Sequence, residues 1–336
     1  MKTVRELQVA TADAFENDVR SVGEPAILRG LAADWPIVAA ARKGDGACCS
    51  YLTDVAANEF VAIAALPAGS GGRLHYDAAV TSPNFARRQT PLREFLNLCA
   101  TGGSTETLAA QGLEADRFFP AFRGENPMPF APVAAAPRLW IGGRVIVAAH
   151  ADPAENIAIV AAGRRRFTLF PPEQVGNLYI GPFHITPGGT PVSMAHVTAP
   201  DFEKFPRFRG ALEAALVAEL EPGDALYIPY YWFHHVESLE PFNVLVNYWW
   251  DAARGDVGSP WDVLMHGMMT LRNLPADQRR AWRALFDHYV FLANGDPAAH
   301  LPQSAHGILS ATRPQDVERM RRALIEKLAG ADPRRK

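Results

Sequence analysis

Cysteine, basic charge and long apolar segments are all scarce in this sequence. The three cysteines are an odd number and two of them, Cys48 and Cys49, are adjacent, which argues against a disulfide framework. Lysine and arginine total 33 against 36 aspartates and glutamates, a formal net charge of −3. This balance predicts neither a nucleic-acid partner nor an anionic membrane surface. No apolar run reaches the roughly 20 residues that a membrane-spanning helix needs.

The first residues also lack the apolar segment of a secretory signal peptide. Together with the sparse cysteine, this leads us to expect reduced thiols and a cytoplasmic protein. Proline and glycine are plentiful instead, at 27 and 26 residues, and indicate many turns. The length of 336 residues suffices for one large β domain with added helices, or for two domains.

Short apolar segments separated by turn residues begin near residue 139 and predict an antiparallel sandwich or barrel. The expected strands are Leu139–Ala149, Asn156–Ala161, Arg165–Phe170, Asp224–Ile228 and Asn243–Trp250. Residues 101–137 are expected to be irregular, and an insertion over 173–220 is expected to end in a helix from Arg209 to Leu220. The last third changes to helical periodicity, with an apolar stripe from Asp277 to Leu292 and a capping-box pattern over Thr312–Gln315.

A histidine and an aspartate two residues apart, His150 and Asp152, follow the first of these strands. Residues i and i+2 of an extended strand face the same side, so the imidazole and the carboxylate can face one point. With His234 far downstream, they provide the two imidazoles and one carboxylate of the facial triad in non-haem Fe(II) oxygenases. A second pair of this kind, His75 and Asp77, has no later partner set, so we expect it to be structural.

His234 and His235 are adjacent and face opposite sides if extended, so only one can face the interior, and we predict His234. Arg165 opens a strand just after a glycine. A buried arginine is costly unless it meets an anion, and a guanidinium binds a carboxylate bidentately. Arg165 is therefore predicted to hold the far carboxylate of a dicarboxylic co-substrate. Asn247, on the inward face of the last strand, and Asn156 are either donors to a ligand carboxylate or satisfied core amides.

The segment from His150 to Phe183, together with EPGDALYIPYYWFHHVES and NVLVNYWW, resembles the cupin-like JmjC-type hydroxylases. That family includes the asparaginyl hydroxylase that regulates hypoxia-inducible factor. The match covers about residues 138–252. The resemblance implies a mostly β fold with flanking helices, a double-stranded β-helix of the cupin or jelly-roll type. It also implies Fe(II) and 2-oxoglutarate as cofactor and co-substrate, and hydroxylation of a peptide or protein side chain or a small molecule.

By position, the resemblance assigns roles to seven residues. His150, Asp152 and His234 correspond to the iron ligands. Arg165 stands where the family commonly has a lysine that binds the distal carboxylate of 2-oxoglutarate. The others correspond to two amides near the oxidisable end of the co-substrate and an aromatic beside the iron pocket: Asn156, Asn247 and Trp249.

Two positions depart from the family pattern. Val147 replaces a threonine that helps to bind the co-substrate, and a tyrosine expected on an earlier strand has no match between Thr105 and Leu113. We predict a cupin-like JmjC domain with an N-terminal extension over residues 1–255. The helical region over 256–336 forms a homodimer interface or merely covers the barrel. Two alternatives to an oxygenase remain: a metal-dependent cupin isomerase or hydrolase without oxygen chemistry, and a non-enzymatic binding module.

Overall fold

Two β-sheets form most of the first of two units into which this computed structural model divides, Met1–Asp251 and Ala252–Lys336. The structure describes residues 1–253, 255–309 and 314–330. In chain order the strands are β1 Lys2–Thr3, β2 Arg5–Leu7, β3 Ala26–Leu28, β4 Phe60–Leu66, β5 Arg73–Leu74, β6 Ala86–Pro91, β7 Thr107–Glu114, β8 Pro137–Gly142, β9 Ile146–His150, β10 Glu155–Ala162, β11 Arg165–Phe170, β12 Leu216–Leu220, β13 Ala225–Ile228, β14 Phe233–Ser238 and β15 Asn243–Trp250.

The smaller sheet has the strand order β1-β12-β11-β14-β9-β5, and the larger has β2-β3-β13-β10-β15-β8-β7-β4-β6. The pairs at the centre of each sheet are antiparallel. Side chains of both sheets, such as Ala158 and Leu245 from the larger and Phe167 and Val236 from the smaller, share one buried cluster. The mostly β fold with flanking helices that the sequence predicts is therefore confirmed.

The helices of the first unit are α1 Ala12–Ala14, α2 Pro36–Ala41, α3 Asp45–Asp54, α4 Leu92–Thr101, α5 Ala115–Phe118, α6 Phe122–Glu125 and α7 Phe208–Ala214, with a π turn at Phe15–Val19 and 3-10 turns at Arg20–Val22 and Pro172–Asn177. Helices α2 to α4 pack against the larger sheet, and α7 packs against β11 of the smaller sheet. Val38, Leu52 and Phe95 pack with Ile157 and Ile159 of β10 in a second core. Strand β10 is consequently buried on both faces, which holds its position firmly.

Three expectations about local structure are wrong. The strand expected over Leu139–Ala149 is two strands, because the chain bends at Gly143-Arg144 and passes from the larger sheet to the smaller. A Cβ on Gly142 would lie 2.6 Å from the Leu108 carbonyl oxygen, so the close approach of β7 requires glycine there. Residues 101–137 contain β7, α5 and α6. The helix expected over Arg209–Leu220 ends at Ala214, and β12 follows it.

Gly163 forms the turn that joins β10 to β11, and we expect alanine there to be strongly destabilising. Its φ is +72°, and a Cβ would lie 2.7 Å from the Phe242 carbonyl oxygen and 2.3 Å from Asn243 Oδ1. Strain and steric overlap together are expected to lower the free energy of unfolding by about 2 to 4 kcal/mol. Urea denaturation measures this, with Gly176→Ala as the control because nothing lies within 4 Å of its added Cβ. Equal stability of the two variants would contradict the prediction.

The second unit is helical, with α8 Pro260–Thr270, α9 Ala276–Tyr289, α10 Pro314–Leu328 and 3-10 turns at Gln303–Ala305 and Gly307–Leu309. Thr312, the first residue of the predicted capping box, lies outside the described residues. Helices α8 and α9 leave large apolar side chains exposed, among them Leu264 and Trp282. Among the helices that the structure describes, none combines the length and apolar character needed to cross a bilayer.

Candidate metal centre

His150 and His234 lie directly opposite each other on the paired strands β9 and β14. Residues opposite each other in an antiparallel pair project to the same face, and here the centroids of the two imidazole rings are 4.3 Å apart. Asp152 lies two residues beyond the end of β9, and its Oδ2 is 3.6 Å from His234 Nε2. Ligand atoms of these three residues all lie within 4.8 Å of one another, an arrangement that can hold a metal ion.

Backbone hydrogen bonds orient both imidazoles. Nδ1 of His150 lies 2.9 Å from the Ala148 carbonyl oxygen, and Nδ1 of His234 lies 3.0 Å from that of Trp232. Because a carbonyl oxygen only accepts, each Nδ1 carries the proton and each Nε2 keeps its lone pair for a metal. Burial, and next the neighbouring His150, lower the pKa of His234 to about 4, so this imidazole is neutral at physiological pH.

The other histidines considered as ligands lie elsewhere. His235 is buried against the opposite side of the smaller sheet from His234, as the alternation along a strand requires. His75 is buried, and its Nε2 lies 3.1 Å from the Ser193 carbonyl oxygen. Asp77 accepts hydrogen bonds from the Thr81 and Ser82 side chains. These hydrogen bonds support the prediction that the pair His75 and Asp77 is structural.

Arg165 is 4% exposed, and burial lowers its pKa to about 9, so it keeps its charge at neutral pH. Within the described part of the chain it forms no salt bridge, and its polar contact is from Nη2 to the Trp140 carbonyl oxygen at 3.4 Å. Its neighbours face outward, where Arg164 pairs with Glu240 and Arg166 pairs with Glu219. A buried cation without a partner anion is costly, and a bound carboxylate would offset that cost.

Arg165 lies at the opposite end of the cavity from the histidines. In the pairing of β11 with β14, Arg165 is opposite Ser238 whereas Leu169 is opposite His234. At ~3.3 Å per residue, these four residues of strand separate the two levels by about 13 Å between Cα atoms. One elongated ligand can therefore reach a metal at one end and the guanidinium at the other.

The larger sheet forms the other wall. Asn156 is opposite Trp249, and Asn247 is two residues before Trp249 in β15, on the same face. Nδ2 of Asn247 donates to Oδ1 of Asn156 at 2.8 Å. All seven residues singled out from the sequence line one cavity, whose complete lining is Trp140, Val147, His150, Asp152, Asn156, Arg165, Phe167, His234, Val236, Leu245, Asn247 and Trp249.

Four buried polar atoms of this cavity have no hydrogen-bond partner: Trp140 Nε1, Arg165 Nε, Asn247 Oδ1 and Trp249 Nε1. An unsatisfied buried polar group costs roughly 1 to 3 kcal/mol, so four of them on one lining indicate a site built for a polar ligand. Trp140 is the lining residue with polar capacity that the sequence did not single out. Its inward position follows from the pairing of β8 with β15, which puts Trp140 opposite the cavity residue Leu245.

The described residues fit an Fe(II) site with a dicarboxylic ligand. The donor set of two imidazoles and one carboxylate suits iron, and the unsatisfied N–H donors of Trp140, Arg165 and Trp249 suit an anionic ligand. The departures at Val147 and at the missing tyrosine have a structural counterpart. Among the residues lining the cavity, all of them within the described part of the chain, there is no hydroxyl side chain.

Comparison with known proteins shows where this architecture belongs. Residues 12–256 match the model of the cupin-like domain. HSPB1-associated protein 1 of Homo sapiens is 39% identical over 114 residues, which are 33% of this chain and 22% of that protein. Lysine-specific demethylase JMJ31 of Arabidopsis thaliana is 35% identical over 103 residues, 31% of this chain and 18% of that protein. tRNA wybutosine-synthesizing protein 5 of Gallus gallus is 40% identical over 101 residues, 30% of this chain and 29% of that protein.

The matched stretches thus span less than a third of these three relatives. The domain match, in contrast, covers nearly all of the first unit and includes every strand from β3 to β15 and every residue of the cavity. Its two-sheet architecture is the jelly-roll expected of a cupin. The chain belongs to the cupin-like domain family and is similar in its barrel to JmjC-type proteins.

Proposed function

We propose that this chain is an Fe(II)- and 2-oxoglutarate-dependent oxygenase that hydroxylates its substrate. One observation carries the proposal: an imidazole–carboxylate–imidazole cluster and an unpaired buried guanidinium, Arg165, line the same cavity, and the Cα levels of Arg165 and His234 are about 13 Å apart by strand register. A metal-dependent isomerase or hydrolase would use the cluster but would have no need of the guanidinium at that distance. A binding module would need neither.

In this proposal His150, Asp152 and His234 hold the iron and leave one side of it open to ligands. When bound, iron and 2-oxoglutarate supply the oxidising chemistry, and the protein supplies binding, orientation and exclusion of water. Arg165 binds the distal carboxylate through its guanidinium. The amides of Asn156 and Asn247 provide polar contacts near the metal end, and they are hydrogen-bonded to each other.

Apolar side chains line the space between the two ends: Val147, Phe167, Val236 and Leu245. They keep water from the middle of a bound ligand, which strengthens the electrostatic contacts at its ends. Trp249 lines the same cavity at the level of Asn156, and we propose that it packs beside the reacting part of the substrate.

In the proposed reaction, the substrate is a peptide or protein side chain or a small molecule, and one of its C–H bonds is hydroxylated. Among the relatives, one name refers to association with HSPB1, one to lysine demethylation and one to tRNA wybutosine synthesis. The net charge of −3 favours protein or small-molecule substrates over nucleic acid for this chain.

We also propose that the helical region over 256–336 is a homodimer interface, since α8 and α9 expose apolar side chains. Measurement of the molar mass by light scattering tests this proposal.

Succinate release tests the proposed function. The protein is loaded anaerobically with Fe(II) and 2-oxoglutarate, and succinate is measured after air is admitted and in a sample kept anaerobic. We expect succinate only in the sample exposed to air, because an oxygenase oxidises 2-oxoglutarate only when oxygen is present. Absence of 2-oxoglutarate binding in calorimetry with metal present would contradict the proposal, and substrate turnover without oxygen would favour the isomerase or hydrolase alternative.

A further inference from the structure

The cavity lining holds unpartnered donors besides Arg165, and one of them is the indole N–H of Trp140. Trp140 lies on β8 opposite Leu245 of β15, and Leu245 is in turn opposite Val160 of β10. Asn156 is four residues back along β10, so the level of Trp140 is about 13 Å from that of Asn156 at ~3.3 Å per residue. Trp140 therefore lies at the level where β10 approaches the turn to β11 and Arg165, and its carbonyl oxygen contacts Arg165 Nη2.

The Trp140 indole is held in place by its neighbours. Its ring packs at 69° to Trp249 with 6.0 Å between ring centroids, and its six-membered ring lies 3.6 Å from where a Cβ on Gly112 would be. Gly112 has a φ of +66°, a conformation that favours glycine, and its backbone lies against the indole. Although the side chain is only partly buried as a whole, Nε1 is fully buried and has no acceptor. A fixed donor of this kind costs free energy unless a ligand supplies an acceptor.

We propose that the Trp140 indole N–H and the Arg165 guanidinium together bind the distal carboxylate of the dicarboxylic co-substrate, which makes Trp140 a binding residue for that end. The inference rests on the proposed function. A carboxylate offers about four acceptor positions, so one guanidinium leaves room for a further donor. No hydroxyl side chain is among the described residues that line the cavity. Of the two lining indoles with an unpartnered N–H, Trp140 is the one whose backbone contacts Arg165, whereas Trp249 is opposite Asn156. Val147, also on the lining, contributes only apolar contact.

Comparison of two keto acids isolates the distal carboxylate. 2-Oxoglutarate and 2-oxopentanoate share the metal-binding keto-acid end and the five-carbon chain, and the latter lacks the distal carboxylate. Dissociation constants of both are measured by calorimetry on the Fe(II)-loaded full chain under anaerobic conditions. For Trp140→Phe, we expect the preference for 2-oxoglutarate over 2-oxopentanoate to fall about tenfold or more, the size of one hydrogen bond to a charged group.

Trp35→Phe is the matched control. It makes the same change in the same unit, but Trp35 Nε1 donates to the Pro127 carbonyl oxygen at 3.0 Å in the other core. We expect Trp35→Phe to lower the free energy of unfolding without altering the preference for 2-oxoglutarate over 2-oxopentanoate. If Trp140→Phe weakens both keto acids equally, the indole acts by packing and the inference is overturned while the proposed function stands. If the wild-type chain binds neither keto acid, both are overturned.

A measurement on the wild-type chain covers the case in which Trp140→Phe does not fold. The 15N–1H signal of the Trp140 indole is followed with Zn(II) in place of iron to avoid paramagnetic broadening. A hydrogen bond to a carboxylate is expected to move the proton signal downfield with 2-oxoglutarate and not with 2-oxopentanoate. The same shift with both keto acids, or with neither, would overturn the inference.

Discussion

Replacing Asp152 by alanine is expected to lower the affinity for Fe(II) on the order of 1,000-fold, because loss of even an outer hydrogen-bonding partner of a ligand typically costs 10- to 100-fold. The change removes the carboxylate of the cluster and leaves its two imidazoles. Calorimetry with Fe(II) under anaerobic conditions measures the affinity. Thermal unfolding gives a second measure, since a metal that binds the folded state raises the unfolding temperature.

The chain contains its own control for this prediction. His75 and Asp77 have the same spacing as His150 and Asp152, but Asp77 is occupied by hydrogen bonds from Thr81 and Ser82. Asp77→Ala is expected to leave metal affinity unchanged while loosening that loop. Fe(II) binding that survives in Asp152→Ala, or that is lost equally in Asp77→Ala, would show that the cluster is not the metal site.

Replacing Arg165 by methionine is expected to change stability and ligand affinity in opposite directions. Removing a buried charge that has no partner anion among the described residues is expected to raise the free energy of unfolding by about 1 to 3 kcal/mol. The same change removes two charge-assisted hydrogen bonds to the ligand and is expected to weaken 2-oxoglutarate binding by about 100-fold or more. Urea denaturation without ligand and calorimetry with metal and 2-oxoglutarate measure the two effects.

Two variants sharpen this prediction. Arg165→Lys keeps the charge but not the planar guanidinium, so we expect an intermediate affinity. Arg166→Met removes the neighbouring guanidinium, which faces outward to Glu219, and is expected to leave affinity for 2-oxoglutarate unchanged. A loss of stability in Arg165→Met together with normal affinity would mean that the guanidinium supports the barrel and does not bind the ligand.

Much of the cavity could be predicted from the sequence because its residues follow the two-residue period of strands. His150 stands at a strand end with Asp152 two residues later, and Asn247 and Trp249 alternate on one face of an apolar strand. Arg165 follows a turn glycine, so its place at the beginning of a strand could be predicted as well. These features are local, and local patterns are what a single sequence records most clearly.

What the sequence did not reveal depends on contacts between distant segments. Strand β14, with the sequence FHHVES, has too few apolar residues to be recognised as a strand, and its histidines are buried because β9 and β11 flank it. β7 lies in a stretch that contains glycine and glutamine and that reads as irregular without its partners β4 and β8. Trp140 was missed because the division between β8 and β9 depends on which sheet each strand joins.

The turn at Gly163 helps to fix the distance between the two ends of the cavity. It joins β10, which carries Asn156, to β11, which begins with Arg165. The pairing of β11 with β14 then places His234 four residues of strand away from the level of Arg165. Neither end can shift without breaking strand register, which would turn inward side chains outward.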